Sequence, residues 1–162
     1  MWYYKGSVRK SILRYKFQGR TVYAPAFGRF MAMKLQEADM DDFDILTWVP
    51  ISAARLRKRG YDQMVLVTKA VGKELGVKPE KTLVKVRNTP PQSSIRGIAQ
   101  RKANVLDAYR VTDPQLIKEK RILLLDDVIT TGATASECAR TLLTAGAKEV
   151  IFAAIATAED KK

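Results

Sequence analysis

The feature that most constrains the fold of this chain is the run Arg121–Val128, in which four apolar residues are followed by two aspartates. The apolar residues do not alternate with polar ones, so a strand formed here must be buried on both faces. Strands of this kind occur in parallel sheets that are covered by helices on both sides. The run therefore predicts an α/β fold built on a parallel sheet.

Further strands and helices are predicted to alternate along the chain, which supports this fold class. The predicted strands are Phe43–Pro50, Thr82–Val86, Ala108–Val111, Arg121–Val128 and Glu149–Ala156. The predicted helical regions are residues 1–40, Asp62–Leu75 and Thr134–Ala145. Residues 87–101 are polar, contain a Pro-Pro pair and show little periodicity, which is typical of a linker or of a mobile active-site loop. With 162 residues, we expect one compact domain.

The segment after the two aspartates has the composition of a phosphate-binding loop. Gly132 tolerates a positive φ, and the threonines around it carry hydroxyl donors. The helix predicted next adds free backbone N–H groups and a partial positive charge at its N-terminus. Asp126 and Asp127 would accept hydrogen bonds from sugar hydroxyls, so the pattern predicts a site for ribose 5-phosphate. The alternative is purely structural, with Thr134 as an N-cap, Gly132 as a turn residue and the aspartates as solvated strand ends.

Several other kinds of site are excluded or disfavoured. An Asp-Asp pair at the end of an apolar strand also occurs in P-loop ATPases, but the only Gly-Lys pair, Gly72-Lys73, lacks the rest of that motif. The chain has no histidine, which removes Ser-His-Asp triads and histidine-bound metals. Its single cysteine and the absence of a long apolar segment lead us to expect a cytoplasmic location.

The net charge of +12 is concentrated near the N-terminus. Eight basic residues precede the first acid, Glu37, and aromatic residues are interleaved with them. Such a surface attracts phosphates, either in small ligands or in single-stranded nucleic acid, although a merely solubilising surface explains the charge as well. The candidate nucleic-acid contacts are Arg9, Lys10, Arg14 and Lys16.

The stretch LLLDDVITTGAT resembles the phosphoribosyl-pyrophosphate (PRPP) signature of type I phosphoribosyltransferases. Further blocks resemble the competence-associated ComF/GntX branch of that superfamily, and they follow the expected order along nearly the whole chain. These blocks are Ile12–Arg20, Val49–Ile51, Arg59–Gln63, Pro91–Ser93, Arg101 with Asn104, Glu137–Arg140 and Ala145–Ala147. Two departures are clear. The four-cysteine zinc module that is usual in this branch is absent, so the sequence looks like either a truncated chain or a variant without that module. Asp62 stands where the branch usually has Asn.

The resemblance implies a role for each part of the site. Asp126 and Asp127 would contact the ribose hydroxyls, and Thr130, Thr131, Gly132, Ala133 and Thr134 would surround the 5-phosphate. Pro50, Ile51, Ser52 and Arg55 would meet the diphosphate, and Asp62 would weaken an anion contact there. Arg87, Arg96 and Arg101 would belong to a flexible loop that closes over the ligand, unless they form only an exposed basic loop. Asp126, Asp127 and Arg101 would act in catalysis, with Mg²⁺ bound together with PRPP and no metal ligand assigned to a protein side chain.

Three functions remain open at this level. The first is a PRPP-binding, phosphoribosyltransferase-like protein that acts in DNA uptake or processing during natural competence, with other competence proteins as partners. The second is a metabolic phosphoribosyltransferase in which residues 1–40, the hood, hold a nucleobase or amine above the core, residues 41–162. The third is a protein that binds single-stranded nucleic acid and whose ribose-phosphate site is not catalytic.

Overall fold

Four parallel strands form the central sheet of the computed structural model, which describes residues 2–90, 92–95 and 97–158. The spatial order is β1-β6-β5-β2. These strands are β1 (Trp2–Tyr3), β2 (Ile45–Trp48), β5 (Arg121–Ile129) and β6 (Glu149–Thr157). Leu123 of β5 is aligned with Leu46 of β2 on one side and with Ile151 of β6 on the other. The predicted parallel α/β sheet is therefore confirmed, with β5 at its centre.

Seven α-helices surround the sheet in the described part of the chain. They are α1 (Gly6–Phe17), α2 (Tyr23–Glu37), α3 (Ala53–Arg59), α4 (Gln63–Leu75), α5 (Ile98–Val105), α6 (Pro114–Ile117) and α7 (Ala133–Thr144). None of these helices is long and apolar enough to cross a membrane.

The central strand separates two apolar clusters. Leu123 and Leu125 pack with α1, α2 and α4 on one face. Ile122 and Leu124 pack with α7 and the neighbouring loops on the other. All four leucine and isoleucine side chains are completely buried, which explains why the strand shows no polar alternation.

The strands predicted at Thr82–Val86 and Ala108–Val111 do form, as β3 (Leu83–Lys85) and β4 (Tyr109–Val111). They pair with each other in an antiparallel sheet of their own, and a backbone bridge from Ser52 to Lys85 connects this pair to the end of β2. The polar segment between them is more ordered than predicted, since it contains a 3-10 turn at Gln92–Ser94 and α5. Runs of three residues carry too little periodicity to reveal their pairing partner.

The short elements α3, α6 and β1 were not predicted. α3 spans seven residues and buries none of them, so it lacks the apolar stripe by which a helix is recognised. β1 has only two residues, and its pairing with β6 joins opposite ends of the chain. Elements of this kind depend on tertiary contacts.

Helices α2 and α4 approach closely at Gly28, which is buried. A methyl group at this position would lie 2.3 Å from the Cβ of Ala70 and 3.0 Å from the backbone of the same residue. The absence of a side chain at Gly28 thus allows the hood to pack on the core.

We predict that Gly28→Ala destabilises the protein by about 1–3 kcal/mol, since overpacking outweighs the better helix propensity of alanine. Thermal unfolding of the variant and of the compensating double variant Gly28→Ala/Ala70→Gly will test this. The second substitution removes the methyl group that clashes, so the double variant should recover part of the loss. A melting temperature equal to or above that of the parent for Gly28→Ala alone would contradict the packing argument.

Candidate functional site

A cleft of about 540 Å³ opens beyond the carboxyl ends of β2 and β5. Most of the predicted site residues line it. These are Asp126, Asp127, Thr130, Thr131, Gly132, Ala133, Thr134, Pro50, Ile51 and Arg55. Ser52 is the exception within the predicted loop and is not among the lining residues. The fold thus brings the two aspartates, the threonine loop and Arg55 around one cavity.

The threonine loop ends at Gly132, which has a φ of 73° and precedes α7. This left-handed conformation suits glycine and lets the chain turn sharply from β5 into the helix. No side chain caps the helix, so the first N–H groups of α7 remain available to a ligand. The alternative in which Thr134 serves as the N-cap is wrong, because the helix already begins at Ala133.

Asp127 is buried, with 6% of its surface exposed, and it has two partners from distant parts of the chain. Lys16 of α1 donates to Oδ1 at 2.9 Å, and the amide of Gln63 donates to Oδ2 at 3.0 Å. Tyr15 holds this arrangement in place, since its hydroxyl donates to the backbone carbonyl of Gln63 at 2.5 Å. The ion pair with Lys16 therefore connects the hood to the acid that was predicted to bind ribose.

The negative charge of Asp126 is compensated by fewer contacts than that of Asp127. Its Oδ1 accepts the backbone N–H of Asp127 at 2.8 Å, and no described residue donates to its second oxygen. Burial, and next the negative charge of Asp127, raise the pKa of the Asp126 carboxyl well above its usual range. The ionised form of Asp126 is therefore poorly stabilised by the protein alone, and hydrogen-bond donors or a cation from a ligand would stabilise it.

The polar groups of the loop between β2 and α3 form hydrogen bonds to other groups of the protein. The Ile51 N–H donates to Asp62 Oδ2 at 3.2 Å, and Asp62 Oδ1 caps α4 by accepting the Met64 N–H at 3.0 Å. Ser52 is buried, caps α3 through the Arg55 N–H and donates to Asn88 at 2.8 Å. Two of the predicted diphosphate donors are thus engaged in holding the loop.

Four basic residues near this loop line the cleft, namely Arg55, Lys58, Arg59 and Lys85, and the pKa values of Arg55 and Lys85 are lowered. Arg55 donates to the carbonyl of Thr89 at 2.7 Å, and Lys85 lies with its Nζ 5.1 Å from the centre of the Tyr109 ring. Burial, and next the charge of Arg55, lower the pKa of Lys85 to about 8. Burial also lowers the pKa of Arg55, as does the charge of Arg59. Sequence reasoning missed Lys85, since a single lysine in a short strand carries no motif.

Two of the predicted flexible-loop arginines, Arg87 and Arg101, do not line the cleft. Arg87 donates to the carbonyl of Asn104 at 3.1 Å, and Arg101 donates to the carbonyl of Ile95 at 2.9 Å. Arg96 lies outside the described residues. Among the described residues of this segment, Pro90 and Gln92 line the cleft. The Gln92 amide is 3.2 Å from the Arg101 carbonyl and 3.5 Å from the Thr134 hydroxyl.

The predicted nucleic-acid residues divide into two groups. Arg9, Lys10 and Arg14 are exposed on α1, whereas Lys16 lines the cleft and binds Asp127. Phe17 is 67% exposed at the mouth of the cleft, with the Arg59 guanidinium 5.0 Å from its ring centre. An aromatic and basic rim therefore borders the cavity on the hood side.

A protein-only metal site is not evident, because the described residues contain no group of three or more potential His, Cys, Asp or Glu ligands. The chemistry available in the cleft is binding and positioning. It combines acids for hydroxyls, free helix N–H groups for a phosphate and unpaired cations for a further anion.

Comparison with known proteins agrees with this geometry. The family model for the phosphoribosyl transferase domain matches residues 54–162. The competence protein ComFC of Streptococcus pneumoniae is 30% identical over 91% of this chain and 62% of its own length. The DNA utilization protein YhgH of Salmonella typhimurium is 29% identical over 83% of this chain and 60% of its own length. Competence protein F of Haemophilus influenzae is 27% identical over 86% of this chain and 63% of its own length.

Solved structures share the fold. The glutamine PRPP amidotransferase of B. subtilis, solved with ADP and GMP, superposes with a TM-score of 0.58 at 20% identity, covering 86% of this chain and 30% of that chain. The PRPP synthetase of Mycobacterium smegmatis gives 0.51 at 24% identity, covering 80% of this chain and 33% of that chain. The chain spans 60–63% of the length of the three curated relatives above. On the family match, the chain belongs to the phosphoribosyl transferase domain family, and the curated proteins it resembles are the competence and DNA utilization proteins above.

Proposed function

We propose that this protein binds PRPP in the cleft at the end of β5. The observation that carries the proposal is the meeting of Asp126 and Asp127 with the uncapped N-terminus of α7 in one cavity. A ribose 5-phosphate spans these two groups, with its hydroxyls on the carboxylates and its phosphate on the helix N–H groups. The family match supports the same ligand.

Magnesium is the metal expected with PRPP, and the residues present are compatible with it. Mg²⁺ is commonly held by one or two carboxylates together with substrate phosphates and water. Asp126 offers an oxygen that no described residue occupies, whereas both oxygens of Asp127 already have partners. When bound with PRPP, magnesium would supply charge neutralisation for the phosphates, and the carboxylates would orient the sugar.

If the protein turns over, the reaction is transfer of the phosphoribosyl group to an acceptor. The bond from C1 of the ribose to the diphosphate breaks, and a bond from C1 to the acceptor forms. The protein contributes positioning and stabilisation of the departing anion, which can supply most of the rate enhancement in such a reaction. Catalytic roles for Asp126, Asp127 and Arg101, and loop closure by Arg87, Arg96 and Arg101, stay predictions.

The relatives named competence and DNA utilization proteins support the proposal that this chain acts in DNA uptake or processing. A metabolic phosphoribosyltransferase is the alternative. In that case the acceptor would lie between the core and the hood residues Leu13 and Phe17, which line the cleft. Release of diphosphate from PRPP in the presence of one particular nucleobase or amine would favour the metabolic enzyme.

A second candidate function, binding of single-stranded nucleic acid, is favoured by the exposed basic residues of α1. Arg9, Lys10 and Arg14 have no carboxylate partner among the described residues. Phosphate contacts by such residues would give a strongly salt-dependent affinity, and Phe17 can stack on a base.

We predict that PRPP with Mg²⁺ raises the melting temperature of the parent protein, since a ligand at 100 times its Kd stabilises by about 2.7 kcal/mol. Asp126→Asn should abolish this shift, because an amide cannot supply the ionised carboxylate that the ribose hydroxyls and the magnesium would stabilise. Asp41→Asn, which alters an exposed acid in the loop before β2, serves as the control and should keep the shift. No shift in the parent, or a full shift in Asp126→Asn, would refute the ribose assignment.

The raised pKa of Asp126 predicts that Asp126→Asn stabilises the protein without ligand at neutral pH. Because the folded pKa lies above the unfolded value, the stabilisation from this group is present below about pH 4 and is lost as the pH rises through the folded pKa. Each pH unit between the two values is worth about 1.4 kcal/mol, or roughly 3–6 °C in a protein of this size. The melting temperature of Asp126→Asn should therefore exceed that of the parent by an amount that grows from pH 4 to pH 8. A difference that stays constant over this pH range would contradict the prediction.

For the second candidate function, we predict that reversing the three exposed charges, Arg9→Glu/Lys10→Glu/Arg14→Glu, lowers affinity for a labelled single strand at least about tenfold at low salt. The matched control reverses three exposed lysines elsewhere, Lys69, Lys73 and Lys78. Fluorescence anisotropy across a salt series gives both the affinity and its salt dependence. Equal losses in the two triple variants would show that only net charge matters and would remove α1 as an interface.

A further inference from the structure

The block Arg59–Gln63 borders the cleft, and Arg59, Tyr61 and Gln63 line it without a part in the ligand contacts proposed above. We propose that Gln63 is a positioning residue of the ribose site. Its side-chain amide, oriented by Arg59, holds the Asp127 carboxylate in the direction in which it accepts the ribose hydroxyls. This inference rests on the proposed function and names a residue on which the selectivity for a hydroxylated sugar depends.

The turn between α3 and α4 places Arg59 and Gln63 side by side. α3 ends at Arg59, and Gly60 follows with a φ of 80°, a left-handed conformation that suits glycine. The side chain of Asp62 then caps α4, so that Gln63 is the first residue of this helix. The Tyr15 hydroxyl donates to the backbone carbonyl of Gln63 at 2.5 Å. The backbone of Gln63 is therefore fixed both by the turn and by the hood.

The amide of Gln63 connects a group that only donates to a group that only accepts. The Arg59 guanidinium donates to Gln63 Oε1 at 2.6 Å, and Gln63 Nε2 donates to Asp127 Oδ2 at 3.0 Å. A guanidinium has no acceptor and an ionised carboxylate has no donor, so only one of the two flipped orientations of the amide satisfies both partners. Gln63 is 4% exposed, which leaves little access for water to replace either bond. Arg59 thus fixes the direction in which Gln63 donates.

The Asp127 carboxylate is held at both of its oxygens. Lys16 donates to Oδ1 at 2.9 Å, and Gln63 donates to Oδ2. An ionised carboxylate can accept about four hydrogen bonds, so acceptor positions remain for ligand hydroxyls in the cleft that Asp127 lines. A carboxylate that is fixed before the ligand arrives loses less entropy when the sugar binds. The contacts with Lys16 and Gln63 therefore preorganise the remaining acceptor positions.

Of these two partners, Gln63 has the better defined geometry. Lys16 is a compact charge on a flexible side chain, 19% of which is exposed. Gln63 is buried and is tied to Arg59, whose guanidinium lies 5.0 Å from the centre of the Phe17 ring at the rim. Lys16 neutralises the negative charge of Asp127, and Gln63 sets the direction of its carboxylate.

The test compares two ligands that share a phosphate and a five-membered ring. Ribose 5-phosphate carries the ring hydroxyls, whereas tetrahydrofurfuryl phosphate has none. The ratio of their affinities, measured by calorimetry with magnesium present, gives the selectivity for the hydroxyls. Gln63→Met removes both hydrogen bonds of the amide at a similar side-chain length, and Arg59→Met removes only the donor to Gln63. Gln36→Met makes the same substitution at an exposed position of α2 and is the matched control.

We expect Gln63→Met to weaken ribose 5-phosphate binding by about tenfold, while the affinity for tetrahydrofurfuryl phosphate stays within about twofold, since a hydrogen bond to a charged group has an effect of this size. Arg59→Met should lower the selectivity by a smaller factor, because the amide is retained but its orientation is no longer fixed. The lost charge of Arg59 acts on the phosphate that both ligands carry, so it cancels in the ratio. Gln36→Met should match the parent.

A purely structural role for Gln63 would weaken both ligands equally, so an unchanged selectivity in Gln63→Met would overturn the proposal. If Gln63→Met does not fold, Arg59→Met decides the question, because its side chain is only partly buried, and an unchanged selectivity there would overturn the proposal as well. A parent protein that binds ribose 5-phosphate no better than tetrahydrofurfuryl phosphate refutes the ribose site of the proposed function. A parent that prefers ribose 5-phosphate and keeps this preference in both variants refutes only the positioning role.

Discussion

The burial of β5 on both faces is the constraint on which the rest of the structure depends. Leu123 and Leu125 join the cluster that holds the hood, and Ile122 and Leu124 join the cluster beneath α7. Because the strand is buried, its backbone N–H and C=O groups need hydrogen-bond partners along both edges. The strands β2 and β6 supply these partners. Its carboxyl end is where the backbone leaves the core, so the polar residues that follow are delivered to the edge of the sheet.

This position creates an electrostatic conflict at the end of the strand. Two adjacent carboxyl groups lie where solvation is poor, and Asp127 has the stronger compensation, from Lys16 and Gln63. On another wall of the cleft, Arg55 and Lys85 are cations that lack acidic partners among the described residues. The cleft thus holds charges of both signs that are only partly compensated, an arrangement typical of functional sites. A ligand that offers hydroxyls to the acids and anions to the cations would relieve both.

The hood is connected to this site by polar contacts as well as by packing. Tyr15 binds the Gln63 carbonyl, and the hydroxyl of Tyr61 donates to the carbonyl of Tyr15. These contacts set α1 beside the start of α4, and Lys16, the next residue along α1, then reaches Asp127. Close packing at Gly28 fixes α2 against the same helix. The position of the hood and the environment of the Asp127 carboxylate are therefore physically linked.

The sequence by itself determined the parallel α/β sheet, the strand β5 and the loop that follows it, because these features rest on local patterns: unbroken apolar residues, an acid pair and a glycine before a helix. It also indicated Arg55, although from family resemblance. Only the tertiary structure decided that Ser52 and Asp62 hold the loop together, that Lys16 neutralises Asp127 and that Lys85 faces the cleft. Each of these depends on contacts between residues far apart in the chain or on burial of a charge, and no local pattern encodes either one.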